Sequence, residues 1–213
     1  MLGIDSKNKH VVVTTFSSHI ARLNSIVEFG QKMGRKIVFM GRSMEKYVRA
    51  AESTGIAKFS NKVEILKYSG QIKSKLNKIA KDRGKYLMVV TGHQGEPKST
   101  LAKMMNGELK FRFFPEDHII FSCKTIPTPT NIENRQKLEA NLRNFNVRIF
   151  KDIHQSGHAA REDLRDLINL VKPQHIIPAH GEFRMTSALA DLAVEMGYKK
   201  GTNVHVMGNG ERI

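Results

Sequence analysis

Val11-Val12-Val13-Thr14-Thr15-Phe16 is an unbroken run of apolar and β-branched residues, and it limits the fold more than any other stretch. A strand with one wet face alternates apolar and polar side chains. A run without alternation is buried on both faces, as strands are in parallel sheets covered by helices. The next residues have helical character. Ser17-Ser18 offers a helix N-cap. Ile20, Leu23, Val27 and Met33 then recur at near-helical spacing until Gly34.

The same unit repeats. Lys36–Met40 reads as a second strand, and Ser43 caps a helix over 44–53 that ends at Gly55. A third apolar strand over 86–91 enters a glycine-rich turn. Pro97 stands near the start of a short helix ending at Asn106-Gly107. A strand over 118–122, a helix over 132–144 and a strand over 147–153 come next. After them stand a helix over 161–171, a short strand over 175–178, an amphipathic helix over 185–196 and a last strand over 203–207. Strand and helix in alternation predict an α/β fold with a mainly parallel sheet. Residues 56–84, rich in Lys and Ser, read as the least regular part, with 63–68 as a candidate edge strand. No internal repeat or low-complexity segment is present.

Ligands of such sheets gather at the carboxyl ends of the strands. The polar, glycine-bearing turns all fall there: Phe16-Ser17-Ser18-His19, Gly41-Arg42-Ser43, Gly92-His93-Gln94-Gly95-Glu96, His154-Gln155-Ser156-Gly157-His158 and Ala179-His180-Gly181-Glu182. Gly and Ser let the backbone approach a phosphate, and helix N-termini add free N–H groups. The turns together describe an anion-binding cleft.

Charge names the partner class. Lys plus Arg number 35 against 20 Asp plus Glu, a net charge of +15 with His neutral. A surplus of this size spread through folded sequence points to a basic face for a polyanion, nucleic acid first; a solvated surface is the alternative. No apolar run approaches the ~20 residues of a membrane span, and the polar start MLGIDSKNKH does not read as a signal peptide. With Cys123 alone there is no internal disulfide, so a reducing cytoplasm is expected. Cys123 itself reads as a buried structural thiol.

Two motifs carry chemistry. His154, Ser156, Gly157 and His158 form a turn that can hold a phosphate through backbone N–H groups and a hydroxyl, with a histidine to protonate a leaving oxygen. The same residues also suit a helix cap with surface histidines. His180, on a tight turn after Ile176-Ile177-Pro178-Ala179, is placed as a metal ligand with Glu182 able to orient its ring, or as a hydrogen-bonded loop residue. No HxH, HxxxD cluster or His/Cys pair at zinc spacing accompanies it.

In order and spacing, Thr14-Thr-Phe-Ser-Ser-His-Ile-Ala-Arg22, Gly41-Arg-Ser-Met-Glu-Lys-Tyr47, Thr91-Gly-His-Gln-Gly-Glu-Pro97, His154-Gln-Ser-Gly-His-Ala159 and Pro178-Ala-His-Gly-Glu182 resemble the β-CASP family of metallo-β-lactamase-fold nucleases, in particular the archaeal branch of RNase J. The resemblance covers nearly the whole chain. It implies a zinc-dependent 5′-to-3′ exoribonuclease, with endonucleolytic cleavage as a second mode, in which two zinc ions activate a water that attacks an RNA phosphodiester. It assigns His158 to the scissile phosphate, His154, Ser156 and Gly157 to the phosphate-holding turn, and His180 to zinc. It sets Ser17, Ser18, Arg42, Gly92, Gln94 and Gly95 along the RNA path.

The chain departs from the family in one respect: the principal zinc motif HxHxDH is absent, as are the later His and the bridging Asp. By the resemblance, residues 1–160 are most of the β-CASP domain and 161–213 the C-terminal segment of the metallo-β-lactamase domain. The chain is then expected to be a truncated product, an internal start or the second half of a split enzyme, inactive alone. Its expected partners are RNA and either a second copy or a complementing lactamase half. A non-catalytic RNA-binding or dimerising module is the alternative. The helix over 185–196 is expected to carry an exposed apolar face or to bury it in an oligomer.

Overall fold

A six-stranded, wholly parallel sheet organises the first part of the chain in this computed structural model, which describes residues 6–151 and 159–212. The strands are β1 (Val11–Thr14), β2 (Lys36–Met40), β3 (Val63–Leu66), β4 (Tyr86–Val90), β5 (His118–Phe121) and β6 (Arg148–Phe150), in the spatial order β3-β2-β4-β1-β5-β6. β1 is paired on both sides, Val12 opposite Met88 of β4 and Ile119 of β5. All four of its residues are buried, which explains the missing alternation.

The period of two sends side chains to two cores. Val12, Val38, Met40, Met88, Val90, Ile119 and Phe121 face one side, under α3 (Ser69–Lys81), α4 (Thr100–Met105) and α5 (Pro129–Arg143). Val11, Val13, Ile37, Phe39, Leu87, Val89 and Ile120 face the other, under α1 (Ile20–Lys32) and α2 (Arg42–Ser53). On α1 the buried residues Leu23, Ile26, Val27 and Gly30 lie at helical spacing. Each large apolar side chain buried in these layers contributes roughly 1.5–3 kcal/mol.

Several local expectations are corrected. The cap of α1 is His19, whose Nδ1 accepts from Arg22 N at 3.2 Å, rather than Ser17 or Ser18. The cap of α2 is Gly41, so that helix starts at Arg42 rather than 44. The short helix after Pro97 starts at Thr100, because Ser99 Oγ takes the Ala102 amide at 3.3 Å. The largest miss is α3, in the stretch read as irregular. Ile72, Leu76 and Ile79 are its only large apolar residues, and all three are buried.

The amino edge of the sheet is tied by a knot of charge. Asp117, fully buried, accepts from His10 N at 2.9 Å, Phe114 N at 2.8 Å and Arg83 Nη2 at 2.5 Å, with His10 Nδ1 at 2.9 Å. Burial would raise the Asp117 carboxyl, but these donors outweigh it and hold it below its ordinary value. Arg35 donates to the carbonyls of Ser6, Lys9, Arg83 and Tyr86 at 2.5–3.3 Å.

The chain divides into two units, Met1–His154 and Gln155–Ile213. The second holds α6 (Arg161–Val171) and α7 (Phe183–Glu195). Arg161 and Arg165 of α6 meet Glu195 of α7 at 2.6 and 3.2 Å. Its core is Ile168, Ile176, Ala190, Ala193 and Val204. The strands expected over 175–178 and 203–207 are reduced to isolated bridges, Ile176 with Val204 and Lys200 with Val204. Leu170, Phe183 and Met185 are 82%, 78% and 58% exposed. No helix among the described residues is long and apolar enough to cross a membrane.

Candidate functional site

The connections after β1 and β4 run in opposite directions. β1 leads through α1 to β2 on one side, while β4 leads through α4 to β5 on the other. Adjacent strands whose connections part in this way leave a crevice at their carboxyl ends. Here it is a pocket of about 280 Å³, lined by Thr15, Phe16 and Ser17 just after β1 and by Thr91, His93, Glu96 and Lys98 after β4. Ser17 Oγ donates to Ser43 Oγ at 2.9 Å, which brings the start of α2 to the same place. Ser18 beside it is exposed.

His93 sits at the floor of this crevice, 1% exposed, its ring edge-on to Phe16 at 3.6 Å between centroids. Its carbonyl accepts from Arg135 Nη1 at 2.6 Å, and the Arg135 guanidinium lies over the Phe121 ring. Burial first, and the Arg135 charge second, push the imidazole down to about 4. The Thr15 backbone works weakly the other way, yet neither ring nitrogen has a partner in hydrogen-bond geometry. At neutral pH the ring is uncharged and can exchange one hydrogen bond with a ligand. It supplies no positive charge. The sequence marks this turn by its glycines and not by His93, although a histidine between two strand-end glycines was the available signal.

The other residues of that turn are held by the fold. Gly95, at φ +80°, stands against the backbone of Asn134 and Arg135, where a Cβ would collide. Gly92, at φ +126°, leaves a Cβ 2.8 Å from Leu101 Cβ. Gln94 uses both ends of its amide, Nε2 to Lys124 O at 3.2 Å and Oε1 from Ile126 N at 2.8 Å. Close packing on α5 for Gly95 and on the start of α4 for Gly92, with the tie of Gln94 to the loop before α5, therefore account for these three residues.

Arg42, exposed at the first position of α2, lines a second cleft with Lys67, Lys98 and Lys103. Nothing in the sequence marks these lysines among the many others. Cys123 is buried, its Sγ 3.5 Å from Thr15 Oγ1.

His154, Ser156, Gly157 and His158 lie outside the described residues. His180 is exposed and adopts φ +61°, a left-handed conformation that costs a non-glycine residue of order 1 kcal/mol and that recurs at functional turns. Glu182 caps α7. Among the described residues no group of three or more His, Cys, Asp or Glu could hold a metal ion. A zinc site takes four ligands, and His180 offers one, so this part of the chain does not by itself fit a zinc centre.

Comparison with known proteins adds two family matches. The model described as "Ribonuclease J, beta-CASP domain" matches residues 8–138, and "Zn-dependent metallo-hydrolase RNA specificity domain" matches residues 145–207. Ribonuclease J of Methanocaldococcus jannaschii is 42% identical over 212 residues, 99% of this chain and 47% of that protein. Ribonuclease J of Pyrococcus abyssi is 44% identical over 203 residues, 95% of this chain and 45% of that protein. Ribonuclease J of Helicobacter pylori strain J99 is 33% identical, across 95% of this chain and 28% of that protein. The chain thus spans less than half the length of these relatives.

Proposed function

This chain belongs to the ribonuclease J β-CASP family, and from that premise we propose that it is the RNA-gripping part of a zinc-dependent ribonuclease. In this reading residues 1–160 are most of the β-CASP domain and 161–213 the C-terminal segment of the metallo-β-lactamase domain. The observation that carries it is the succession, on one chain, of a β-CASP match and an RNA-specificity match. The net charge of +15 and the crevice between β1 and β4 support the same reading.

The roles follow the motifs. His158 contacts the scissile phosphate, and His154, Ser156 and Gly157 hold it. Ser17, Ser18 and Arg42 flank the RNA, with Gly92, Gln94 and Gly95 shaping the turn beside it. Neutral His93 gives the crevice a hydrogen-bonding floor. His180 contributes one donor to a zinc site whose other ligands come from a metallo-β-lactamase half or a partner chain. The complete enzyme degrades RNA from the 5′ end, with internal cleavage as a second mode, in the cytoplasm.

In this reading the 213-residue chain alone binds RNA and does not cut it, because its sequence has no HxHxDH motif and, among the described residues, His180 belongs to no group of three metal-binding side chains. The direct experiment incubates the purified chain with a 5′-phosphorylated oligoribonucleotide, with and without added zinc or manganese, and measures binding and product together. Salt-sensitive binding without cleavage is expected. Metal-dependent cleavage abolished by His158→Ala would overturn the non-catalytic description of the chain. Absence of any RNA binding would overturn the RNA-gripping assignment.

A further inference from the structure

The cleft lined by Arg42, Lys67, Lys98 and Lys103 gathers four cations on the sheet's carboxyl edge. It occupies about 320 Å³ at the ends of β2, β3 and β4, and no acidic side chain lines it. Lys67 has a counter-ion, Glu45 at 3.5 Å, which is shared with Arg49. No acidic partner reaches Arg42, Lys98 or Lys103 among the described residues. Like charges brought together without counter-ions repel, and a folded protein keeps such an arrangement where a polyanion relieves it.

The surroundings suit phosphate. α2 and α3 both begin here; no side chain caps α2, while in α3 Gln71 Oε1 accepts from the Lys67 and Tyr68 amides, so the uncapped first turn of α2 adds positive potential to the cleft. Ser69 adds a hydroxyl, and Ile72 and Leu109 give an apolar floor. The cleft is continuous with the crevice between β1 and β4, because Ser43, Thr91 and Lys98 line both.

We propose that this cleft holds the backbone phosphates of a single RNA strand several nucleotides away from the part gripped between β1 and β4, so that affinity rises with the length of the strand. The inference rests on the RNA-facing reading above and adds a second contact region to it. The strand crosses the ends of β1, β4, β2 and β3 in turn. Lys98 is the shared contact, Arg42 stands at the junction beside Ser43, and Lys67 and Lys103 bind only the longer strands. A basic groove that tracks the backbone beside a sheet edge is the usual device for single strands.

The test is fluorescence anisotropy with the full chain, using 3′-labelled uridine oligomers, a trinucleotide and a dodecamer, over a series of salt concentrations. Arg42→Gln/Lys67→Gln/Lys103→Gln is expected to weaken dodecamer binding by about tenfold or more. It should also flatten the slope of log K against log salt by about 2, three phosphate contacts at about 0.7 each. Trinucleotide binding is read with Lys67→Gln/Lys103→Gln, which leaves Arg42 in place, and should stay within about twofold, since these two residues lie outside the crevice. Lys58→Gln/Lys62→Gln/Lys81→Gln removes equal charge from exposed positions away from the cleft, and should leave dodecamer affinity within about twofold.

If both triple variants lose affinity equally, net charge explains the effect and the cleft has no special role. If the wild type binds the dodecamer and the first variant binds it equally well with the same slope, this inference fails and the RNA-facing reading stands. If the wild type binds neither oligomer, both fail. A duplex bound as tightly as the single strand, with the same loss in the variant, overturns the single-strand assignment.

Discussion

At the amino edge of the six-stranded sheet, charged groups are consumed by the fold. Asp117 gathers His10, Phe114 and Arg83, and Arg35 closes four backbone carbonyls. At the carboxyl edge of the same sheet, Arg42, Lys98 and Lys103 have no acidic partner among the described residues, and His93 keeps unsatisfied ring nitrogens. Buried polar groups are normally satisfied because leaving one unpaired costs roughly 1–3 kcal/mol. Each edge leaves orphans: His10 Nε2, Arg83 Nε and His118 Nε2 lack a partner at the amino edge, but His10 and Arg83 spend other nitrogens on Asp117, whereas at the carboxyl edge both ring nitrogens of His93 stay unpaired beside the crevice. The difference separates charge that builds the sheet from charge available to a ligand.

The contrast is tested hardest at Asp117. Asp117→Ala leaves Arg83, the Phe114 amide and the His10 amide without their acceptor in a buried site. Breaking a buried charge network from one side costs about 3–5 kcal/mol. Urea denaturation followed by circular dichroism should show a loss of that size. A loss under about 1 kcal/mol would mean that the knot does not hold the edge.

The two edges also differ in how legible they are. The α/β rhythm is readable because β1, β2 and β4 are apolar on both faces and the turns between elements carry Gly and Ser. Local pattern fails at α3, where three apolar residues among many Lys and Ser are enough once β3 and β4 supply a surface for them. Neither edge's chemistry is local. His10 and Asp117 are 107 residues apart. Lys67, Lys98 and Lys103 meet because β4 inserts between β2 and β1, an order that the sequence does not display. The motif at His93 is visible as a glycine-rich turn, but its geometry depends on α5, whose backbone forces Gly95. His154 to His158 are visible as a motif and lie outside the described residues.

Acid separates the edges next. His93 has an ordinary value of 6.5 and is held at about 4 in the folded chain. Above pH 6.5 neither folded nor unfolded chain protonates it, and stability is unaffected. As pH falls from 6.5 toward 4, the unfolded chain takes up a proton that the folded chain refuses, so stability drops, by roughly 3 kcal/mol for this residue. His118, held below its ordinary value mainly by burial, acts in the same direction. Asp117 responds in a different window. Its carboxyl lies below 3.8, so its contribution is intact above that pH and is lost only as pH falls further. Urea titrations between pH 7 and pH 4 should therefore show a slope that His93→Gln reduces. An identical slope in the variant would place the acid sensitivity elsewhere.

Gly95→Ala probes the turn that joins the crevice to the helical layer. The added methyl meets the Asn134 and Arg135 backbone, and φ +80° is unfavourable for alanine. Overpacking and backbone strain together predict a loss of about 2 kcal/mol. Because Arg135 carries the His93 carbonyl, the substitution should also weaken binding of a trinucleotide gripped between β1 and β4. A variant of full stability with impaired binding would move Gly95 from packing to direct RNA contact.

The smallest stability effect belongs to the cations themselves. Arg42, Lys67 and Lys103 line an open cleft, and the one ion pair among them is Lys67 with Glu45, whose other partner Arg49 remains. Replacing all three by Gln should change the unfolding free energy by no more than about 0.5 kcal/mol, the usual range for surface substitutions. The sign should be slightly stabilising at low salt, because mutual repulsion is removed and is screened beyond about 10 Å at 0.1 M salt. Equal stability combined with the predicted loss of dodecamer binding would separate ligand-directed charge from fold-directed charge within one sheet. A destabilisation above about 1.5 kcal/mol would instead mean that these cations support the carboxyl edge as Arg35 supports the amino edge, and the contrast between the two edges would collapse.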